Sequence, residues 1–249
     1  MSSNPPTTEL PTEAHTTTKP PIQPLPDSKT VHQKPKYLYF AYGSNLSPTQ
    51  MKSRCRVDPE SSSKPLAIAT LPHWRWLICE AGYANVLPPP RVGLRVPSQD
   101  SDIAHQVPVS GTEGLVYGVL YEMDLGDEAI LDTYEGVDID AGKSTGEWVG
   151  VDVRPREQGD GSYNKWYVEA GVAKWLDGDG DGDGRGYEHG GNVPVLVYVD
   201  EKCVRLAGPK FEYIARMNRA IRESVELGVP QRWVDEVMRK FIPGDSGLD

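Results

Sequence analysis

Residues 37–50 read YLYFAYGSNLSPTQ, an apolar run rich in aromatic side chains that leads through a glycine into a helix start. The apolar run predicts a buried strand, because short runs of this kind that stop at a glycine are typical of strands. Ser47 at the N-cap, Pro48 at the first helical position and Gln50 three residues after the cap predict a helix from Pro48 to about Cys55. The stretch therefore predicts a strand, a tight turn and a capped helix.

The turn itself, Gly43-Ser44-Asn45, is a candidate binding site. Glycine permits a sharp turn and a close approach of a ligand to the backbone. Backbone N–H groups of the turn and of the following helix start favour an anion such as a carboxylate or a phosphate. An ordinary strand-to-helix turn is the alternative. The tract lacks the Gly-Lys-Ser/Thr of a P-loop and the further glycines of a dinucleotide fingerprint.

A second candidate is Glu135. The segment Asp127–Tyr134 predicts a helix that ends at Gly136, which places Glu135 in its last turn. The negative end of the helix dipole and apolar neighbours would both raise the pKa of a carboxyl group there. A solvated surface glutamate is the alternative. The functional interpretation is a general base whose pKa lies nearer to neutral pH.

The remaining pattern favours an α+β fold with a strongly curved sheet or barrel, because strands come in runs and do not alternate strictly with helices. Further strands are predicted at Trp74–Cys79, Ala84–Leu87, Leu115–Tyr121, Trp148–Val153, Trp166–Trp175 and Val193–Val199. Two helices follow, one with apolar residues at helical spacing from Phe211 to Val225 and a last one over about Gln231–Phe241.

Composition excludes several classes of function. The chain has 249 residues, 26 of them Lys or Arg and 36 Asp or Glu, so its net charge is −10. Such an acidic chain is not expected to be a general binder of nucleic acid or of anionic membranes. It has no apolar run long enough to span a bilayer and no basic-then-apolar secretory signal at the N-terminus. Three widely spaced cysteines predict neither a disulfide framework nor a zinc site, and they fit a reducing, cytoplasmic compartment.

Histidines give little support for a hydrolytic triad. None of the five is well placed to activate Ser44 as a nucleophile. Hydrolysis through an activated serine is therefore not the expected chemistry.

The chain is expected to contain one folded domain between two tails. Residues 1–36 hold eight prolines and no aromatic residue, which predicts a disordered tail, with weak docking through its prolines left open. The tract at 177–191 has acidic residues at EF-hand ligand positions, but its flanks read as strands, so a flexible acidic loop is expected and not a calcium site. The predicted organisation is a tail at 1–36, a domain at 37–243 with insertions at about 88–111, 138–147 and 177–191, and a C-terminal tail at 244–249.

Several blocks together resemble the γ-glutamylcyclotransferase family. Residues 39–46 (YFAYGSNL) are similar to the signature that opens this family. The later blocks of the family are matched in the same order by 82–88 (GYANVLP), 116–119 (VYGV), 131–137 (LDTYEGV), 213–217 (YIARM) and 228–230 (GVP). The sequence departs from the family pattern after Val137 and at the Gly/Asp tract, and both departures bear on substrate specificity more than on the core chemistry.

The resemblance implies a small mixed β-barrel with flanking helices, and an enzyme that releases 5-oxoproline from a small γ-glutamyl compound without a metal or organic cofactor. It implies Glu135 as the catalytic residue. It also implies a substrate-binding set made of Tyr39, Phe40, Ala41, Tyr42, Gly43, Ser44, Asn45, Leu46 and Tyr213.

The residues are compatible with this chemistry, because one carboxylate of raised pKa can both accept and return the proton when the α-amine attacks the γ-carbonyl. Two alternatives remain open at this point: a γ-glutamylamine cyclotransferase, and a non-catalytic small-molecule binding module of the same fold. A homodimer is also left open.

We expect deletion of residues 1–36 to leave folding and activity intact, because a segment so rich in proline and without aromatic residues buries little apolar surface. Thermal melting of the full and truncated chains checks this. A large drop in melting temperature on truncation would show that the tail packs on the domain.

Overall fold

A computed structural model describes residues 37–92, 111–145, 149–176 and 191–244, all within one compact unit. The predicted tail at 1–36 lies outside these ranges, as do 245–249 and most of the predicted loops at 88–111 and 177–191. The proposed absence of a calcium site at 177–191 therefore stays a prediction.

The strands of the described ranges are β1 (Leu38–Ala41), β2 (Pro65–Pro72), β3 (Arg75–Ile78), β4 (Ala84–Leu87), β5 (Leu115–Tyr121), β6 (Asn164–Trp175) and β7 (Asn192–Val199). Five of them close into a small mixed barrel in the order β1-β5-β2-β6-β7. Strand β1 runs parallel to β7, and the other neighbours are antiparallel. Strands β3 and β4 form a separate hairpin. This architecture confirms the predicted α+β barrel with flanking helices.

The helices of the described ranges lie between and after these strands. The Ser47 hydroxyl accepts the predicted capping bond from the Gln50 N–H at 3.0 Å. The Gln50 side chain, however, accepts a hydrogen bond from Arg219 and does not reach back to the cap, so only half of the predicted capping box forms. The helices are α1 (Pro48–Arg54), α2 (Pro59–Ser62), α3 (Leu125–Glu135), α4 (Phe211–Leu227) and α5 (Gln231–Trp233), which continues as a π-helical turn over Val234–Met238.

The strand predicted at 148–153 is wrong for the residues that the structure describes, 149–153, which form turns. The N–H groups of Val153 and Arg154 both donate to the carbonyl of Gly150, at 2.9 and 3.1 Å. Valines alternate there as in a strand, but Val151 is half exposed, and the contact with β6 is the bond from the Tyr167 N–H to the Val153 carbonyl at 2.7 Å. The N–H groups of Val153 and Arg154 are satisfied within the turn and do not extend this contact into a strand.

Strand β2 was not predicted, although it lies between β5 and β6 in the barrel. It begins at Pro65 and ends at Pro72, and these residues obscure the strand pattern. The register against β5 shifts between Pro65 and Ala67. This placement follows the usual restriction of proline to strand ends and bulges.

The barrel interior is closely packed where Phe40 of β1 lies against Gly118 of β5. Phe40 is fully buried. A Cβ atom on Gly118 would lie 2.5 Å from two ring atoms of Phe40 and 2.7 Å from the Ala41 carbonyl oxygen. The hairpin β3–β4 is tied to the same region, because Trp76 Nε1 donates to the Tyr42 carbonyl at 3.0 Å. These contacts hold the chain rigidly at the point where β1 ends.

No helix within the described ranges has both the length and the apolar character needed to cross a bilayer.

We expect Gly118→Ala to lower the free energy of unfolding by roughly 1–3 kcal/mol, because the added methyl group overlaps a buried ring and a backbone oxygen. Gly142→Ala is the matched control, since a Cβ there meets nothing within 4 Å. The control should change the free energy of unfolding by about 0.5 kcal/mol or less. Urea denaturation measures both, and equal effects would contradict the packing argument.

Candidate active site

Glu135 is the last residue of α3, as the sequence predicts, and the helix stops immediately after it. Gly136 adopts the left-handed conformation, with φ 64° and ψ 43°. The Val137 N–H donates to the Asp132 carbonyl at 2.9 Å, and the Gly136 N–H donates to the Thr133 carbonyl at 3.2 Å. This Schellman-type ending needs a residue that tolerates positive φ, which explains the glycine.

The Glu135 carboxylate lies in the wall of a cavity of about 760 Å³. Four cations and two further acids also belong to the wall: Arg54, Lys202, Lys210, Arg216, Asp160 and Asp200. Seven tyrosines line it: Tyr39, Tyr42, Tyr83, Tyr134, Tyr163, Tyr198 and Tyr213. The cavity thus combines aromatic walls with a few charged groups, as small-molecule sites commonly do.

Arg54 is the ionic partner of Glu135, and the sequence analysis did not identify it. Its Nη1 lies 2.8 Å from Glu135 Oε1, and the two side chains are 12% and 17% exposed. The guanidinium also lies over the ring of Tyr134, 5.0 Å from its centroid. Two helix ends, those of α1 and α3, therefore bring a cation and a carboxylate together at the cavity.

Buried Asp127 fixes the chain that follows Arg54. Its carboxylate accepts hydrogen bonds from the N–H groups of Arg56, Val57 and Asp58, at 2.6, 2.8 and 2.9 Å. Burial alone would raise the pKa of Asp127, but the hydrogen bonds from Val57, Asp58 and Arg56 hold it below its usual value. Asp127 lies two turns before Glu135 on α3, so it fastens the end of α1 to the helix that carries the glutamate.

Asn45 connects the turn after β1 to Glu135. Its Nδ2 donates to Tyr39 Oη at 2.8 Å and to Glu135 Oε1 at 3.2 Å. The buried Oδ1 of Asn45 has no hydrogen-bond partner among the described residues. A buried amide oxygen without a partner is costly, and a bound donor would relieve that cost.

Burial raises the pKa of Glu135 above its usual value, while Arg54 and the hydrogen bond from Asn45 oppose the rise. The direction agrees with the sequence-based expectation. The largest cause is removal from water. Such a carboxyl group can exchange a proton closer to neutral pH than an exposed glutamate does.

Tyr213 of α4 stands against the turn that begins at Gly43. The Ser44 N–H donates to Tyr213 Oη at 3.3 Å. A Cβ on Gly43 would lie 2.9 Å from that oxygen, so the close approach requires a glycine. Burial raises the pKa of Tyr213 to about 12, although hydrogen bonds from the backbone of Ala84 and Ser44 oppose the rise. The hydroxyl is therefore protonated at neutral pH.

The structure brings six of the nine predicted substrate-binding residues to the cavity wall. These are Tyr39, Tyr42, Gly43, Ser44, Asn45 and Tyr213. The other three, Phe40, Ala41 and Leu46, are fully buried in the core and do not line the cavity. They belong to the same sequence block but pack in the hydrophobic core behind the cavity wall.

The wall also contains residues that the sequence analysis missed, chiefly Arg54, Tyr83, Tyr163, Lys210 and Arg216. The spacing of these residues in the sequence matches no recognisable motif, so the sequence alone gives no signal that brings them together. Among the described residues, no group of three or more His, Cys, Asp or Glu side chains is arranged to hold a metal ion.

No protein-family model matches the sequence, and no curated protein matches it either. Among solved structures, YkqA from Bacillus subtilis is similar at a TM-score of 0.48 and 17% identity, over 86% of this chain and 57% of that one. The chain thus spans little more than half the length of YkqA. A γ-glutamyl cyclotransferase specific to glutathione, from yeast, is similar at a TM-score of 0.43 and 11% identity, over 82% of this chain and 96% of that one.

We expect Arg54→Gln to raise the pKa of Glu135 further, because the neutral amide removes a positive charge and leaves the carboxyl group buried. Lys52→Gln is the control on the same helix, since Lys52 pairs with Glu60 at the surface. Titration of the Glu135 carboxyl carbon by NMR measures the change. An unchanged or lowered pKa in Arg54→Gln would refute the assigned role of Arg54.

Proposed function

We propose that residues 37–243 form a γ-glutamylcyclotransferase domain that releases 5-oxoproline from a γ-glutamyl compound, with Glu135 as general acid and base. The observation that carries the proposal is the position of the Glu135 carboxylate, 17% exposed and paired with Arg54, in the wall of a tyrosine-lined cavity next to the turn Gly43-Ser44-Asn45. Its removal from water raises its pKa. The resemblance of the sequence blocks to the family supports the same assignment.

The reaction moves two protons from the α-ammonium nitrogen of the substrate to the leaving nitrogen. Glu135 accepts the first proton from the α-ammonium group, and the freed amine nitrogen forms a bond to the γ-carbonyl carbon. The bond between that carbon and the leaving nitrogen then breaks as Glu135 gives its proton to the leaving amine. The second proton passes from the ring nitrogen through Glu135 to the released amine, which departs as an ammonium ion. Ring closure within one molecule has a large proximity advantage, so no side-chain nucleophile is required.

Asn45 and Tyr213 supply complementary groups for the glutamyl part of the substrate. The unpartnered Oδ1 of Asn45 can accept a hydrogen bond from the α-ammonium group, close to Glu135. Tyr213 Oη already accepts the Ser44 N–H, which leaves its own hydrogen to donate to a substrate oxygen. A donor at that place would stabilise negative charge on the carbonyl oxygen or hold the α-carboxylate.

A serine hydrolase mechanism finds no support in the described residues. His73, the one histidine they contain, is exposed on the turn between β2 and β3 and does not line the cavity. Ser44 therefore has no imidazole partner there.

We expect Glu135→Gln to reduce turnover by roughly 10²- to 10⁴-fold, because the amide keeps the size of the side chain and cannot accept the proton. Glu60→Gln, at the exposed surface of α2, is the control and should retain full activity. A 5-oxoproline release assay on several γ-glutamyl compounds measures turnover, and calorimetry measures substrate binding.

Binding should be largely kept in Glu135→Gln, which separates loss of chemistry from loss of the site. Near-normal turnover in the pure variant would overturn the assignment. Binding without 5-oxoproline release by the wild-type protein would instead favour the non-catalytic module.

A further inference from the structure

The proposed chemistry assigns no role to two cations of the cavity wall, Arg216 and Lys210. Both come from the start of α4: Lys210 is its N-cap residue and Arg216 lies in its second turn. Within the described ranges, neither has a carboxylate within salt-bridge distance, whereas Arg54, another cation of the cavity wall, is paired with Glu135.

The two cations share one aromatic platform. Lys210 Nζ lies 4.4 Å from the ring centroid of Tyr83, and the Arg216 guanidinium carbon lies 6.0 Å from it. Arg216 also lies 5.0 Å from the ring centroid of Tyr213, which packs edge-on against Tyr83. Cation–π contacts orient such groups without neutralising them.

Glu212 shares Tyr83 with this cation pair. Its carboxylate accepts a hydrogen bond from the Tyr83 hydroxyl at 2.9 Å, and Lys210 Nζ donates to the same hydroxyl at 3.3 Å. Asp200 is buried and accepts hydrogen bonds from Gln158 Nε2 and from the N–H groups of Lys202 and Cys203, each at 3.0 Å. Glu212 therefore offsets part of the charge of Lys210, whereas Arg216 belongs to the cavity wall without a carboxylate at salt-bridge distance among the described residues, and a bound anion would supply that partner.

The backbone holds Lys210 in place. The Lys210 N–H donates to the Gly82 carbonyl at 3.0 Å. Gly82 has φ +80°, and a Cβ on it would lie 2.6 Å from Lys210 Cγ. The turn before β4 therefore depends on a glycine so that the stem of Lys210 can lie across it.

Tyr213 lies between this cation pair and the turn at Gly43. Its hydroxyl meets Ser44, while its ring lies beside Arg216. A group bound by Arg216 thus lies next to the Tyr213 ring, and the turn that we assign to the glutamyl part lies at the hydroxyl end of the same side chain.

We propose that Arg216 and Lys210 bind a carboxylate carried by the leaving group. The inference rests on the proposed function and sets the substrate class: γ-glutamyl amino acids and peptides are cyclised in preference to γ-glutamyl amines. Arg216 is the specificity residue, since its planar guanidinium can bind a carboxylate through two hydrogen bonds. Lys210 adds a second charge.

Three matched substrates test the proposal: γ-glutamyl-alanine, γ-glutamyl-alaninamide and γ-glutamyl-ethylamine, of which only the first has a leaving-group carboxylate. The wild-type kcat/KM should favour γ-glutamyl-alanine by roughly 10- to 100-fold. Arg216→Gln should remove most of that preference, measured as the ratio of the kcat/KM values for γ-glutamyl-alanine and γ-glutamyl-ethylamine within the same variant, because the charge of Arg216 also lowers the pKa of Glu135 and its loss can change both values together. Lys210→Met should reduce the preference less. Arg232→Gln, which removes an exposed cation that pairs with Glu236, should keep it.

Equal kcat/KM values for the three substrates, or an equal loss on all three in Arg216→Gln, would overturn the proposal while the cyclotransferase function stands. If the wild-type protein cyclises none of the three substrates, the proposed function fails. Calorimetry with the same compounds then decides whether Arg216 and Lys210 form a carboxylate-binding site. Tighter binding of γ-glutamyl-alanine that is lost in Arg216→Gln would support the site. Equal or absent binding would refute it.

Discussion

The ion pair between Glu135 and Arg54 joins the C-terminal ends of two helices, and much of the surrounding structure keeps those two ends together. Asp127 binds three successive N–H groups of the chain just after α1, and so ties α1 to the helix that carries Glu135. At the other end of α1, Glu223 of α4 accepts hydrogen bonds from the Ser47 hydroxyl and the Thr49 N–H. The orientation of α1 is thereby set from both sides, and with it the position of the turn that begins at Gly43.

The pair also balances two opposite effects on Glu135. Removal from water favours the neutral acid, while Arg54 favours the carboxylate. A buried glutamate without a cation would stay protonated and could not accept a proton, and an exposed one beside an arginine would hold the proton too weakly to return it. Both conditions therefore have to hold at once for proton exchange near neutral pH. Arg54 lies far from Glu135 in sequence, but it is as much a part of the site as the turn Gly43-Ser44-Asn45 is.

The parts of the fold and site that could be predicted from the sequence are those with local signals. The strand, glycine turn and proline-started helix at 37–50 follow from neighbouring residues, and so does the end of α3 at Glu135 and Gly136. Strand β2 could not be found in this way, because its end prolines mask a strand whose pairing depends on β5 and β6. Arg54 could not be found either, since its role comes from tertiary contacts with α3 that leave no spacing pattern in the chain. The wrong strand at 149–153 has the converse origin: its alternating valines have the local pattern of a strand, but the N–H groups of Val153 and Arg154 donate to the Gly150 carbonyl in a turn.

The cavity is built by separate elements at its two ends, and this separation has a functional consequence. The groups assigned to the chemistry come from the turn after β1 and from the ends of α1 and α3, and they are held by buried or partly buried hydrogen bonds. The groups assigned to the leaving group come from the turn at Gly82 and the start of α4, where Lys210 and Arg216 lie on aromatic rings without buried carboxylate partners among the described residues. Substitutions at the second end cost little stability, because no buried charge is left unpaired there, whereas loss of Arg54 leaves Glu135 buried without its cation. The preference for one leaving group can therefore change while the proton-transfer groups stay in place. Tyr213 contacts both ends, through Ser44 and through Arg216, so a structural change at one end would reach the other through this residue.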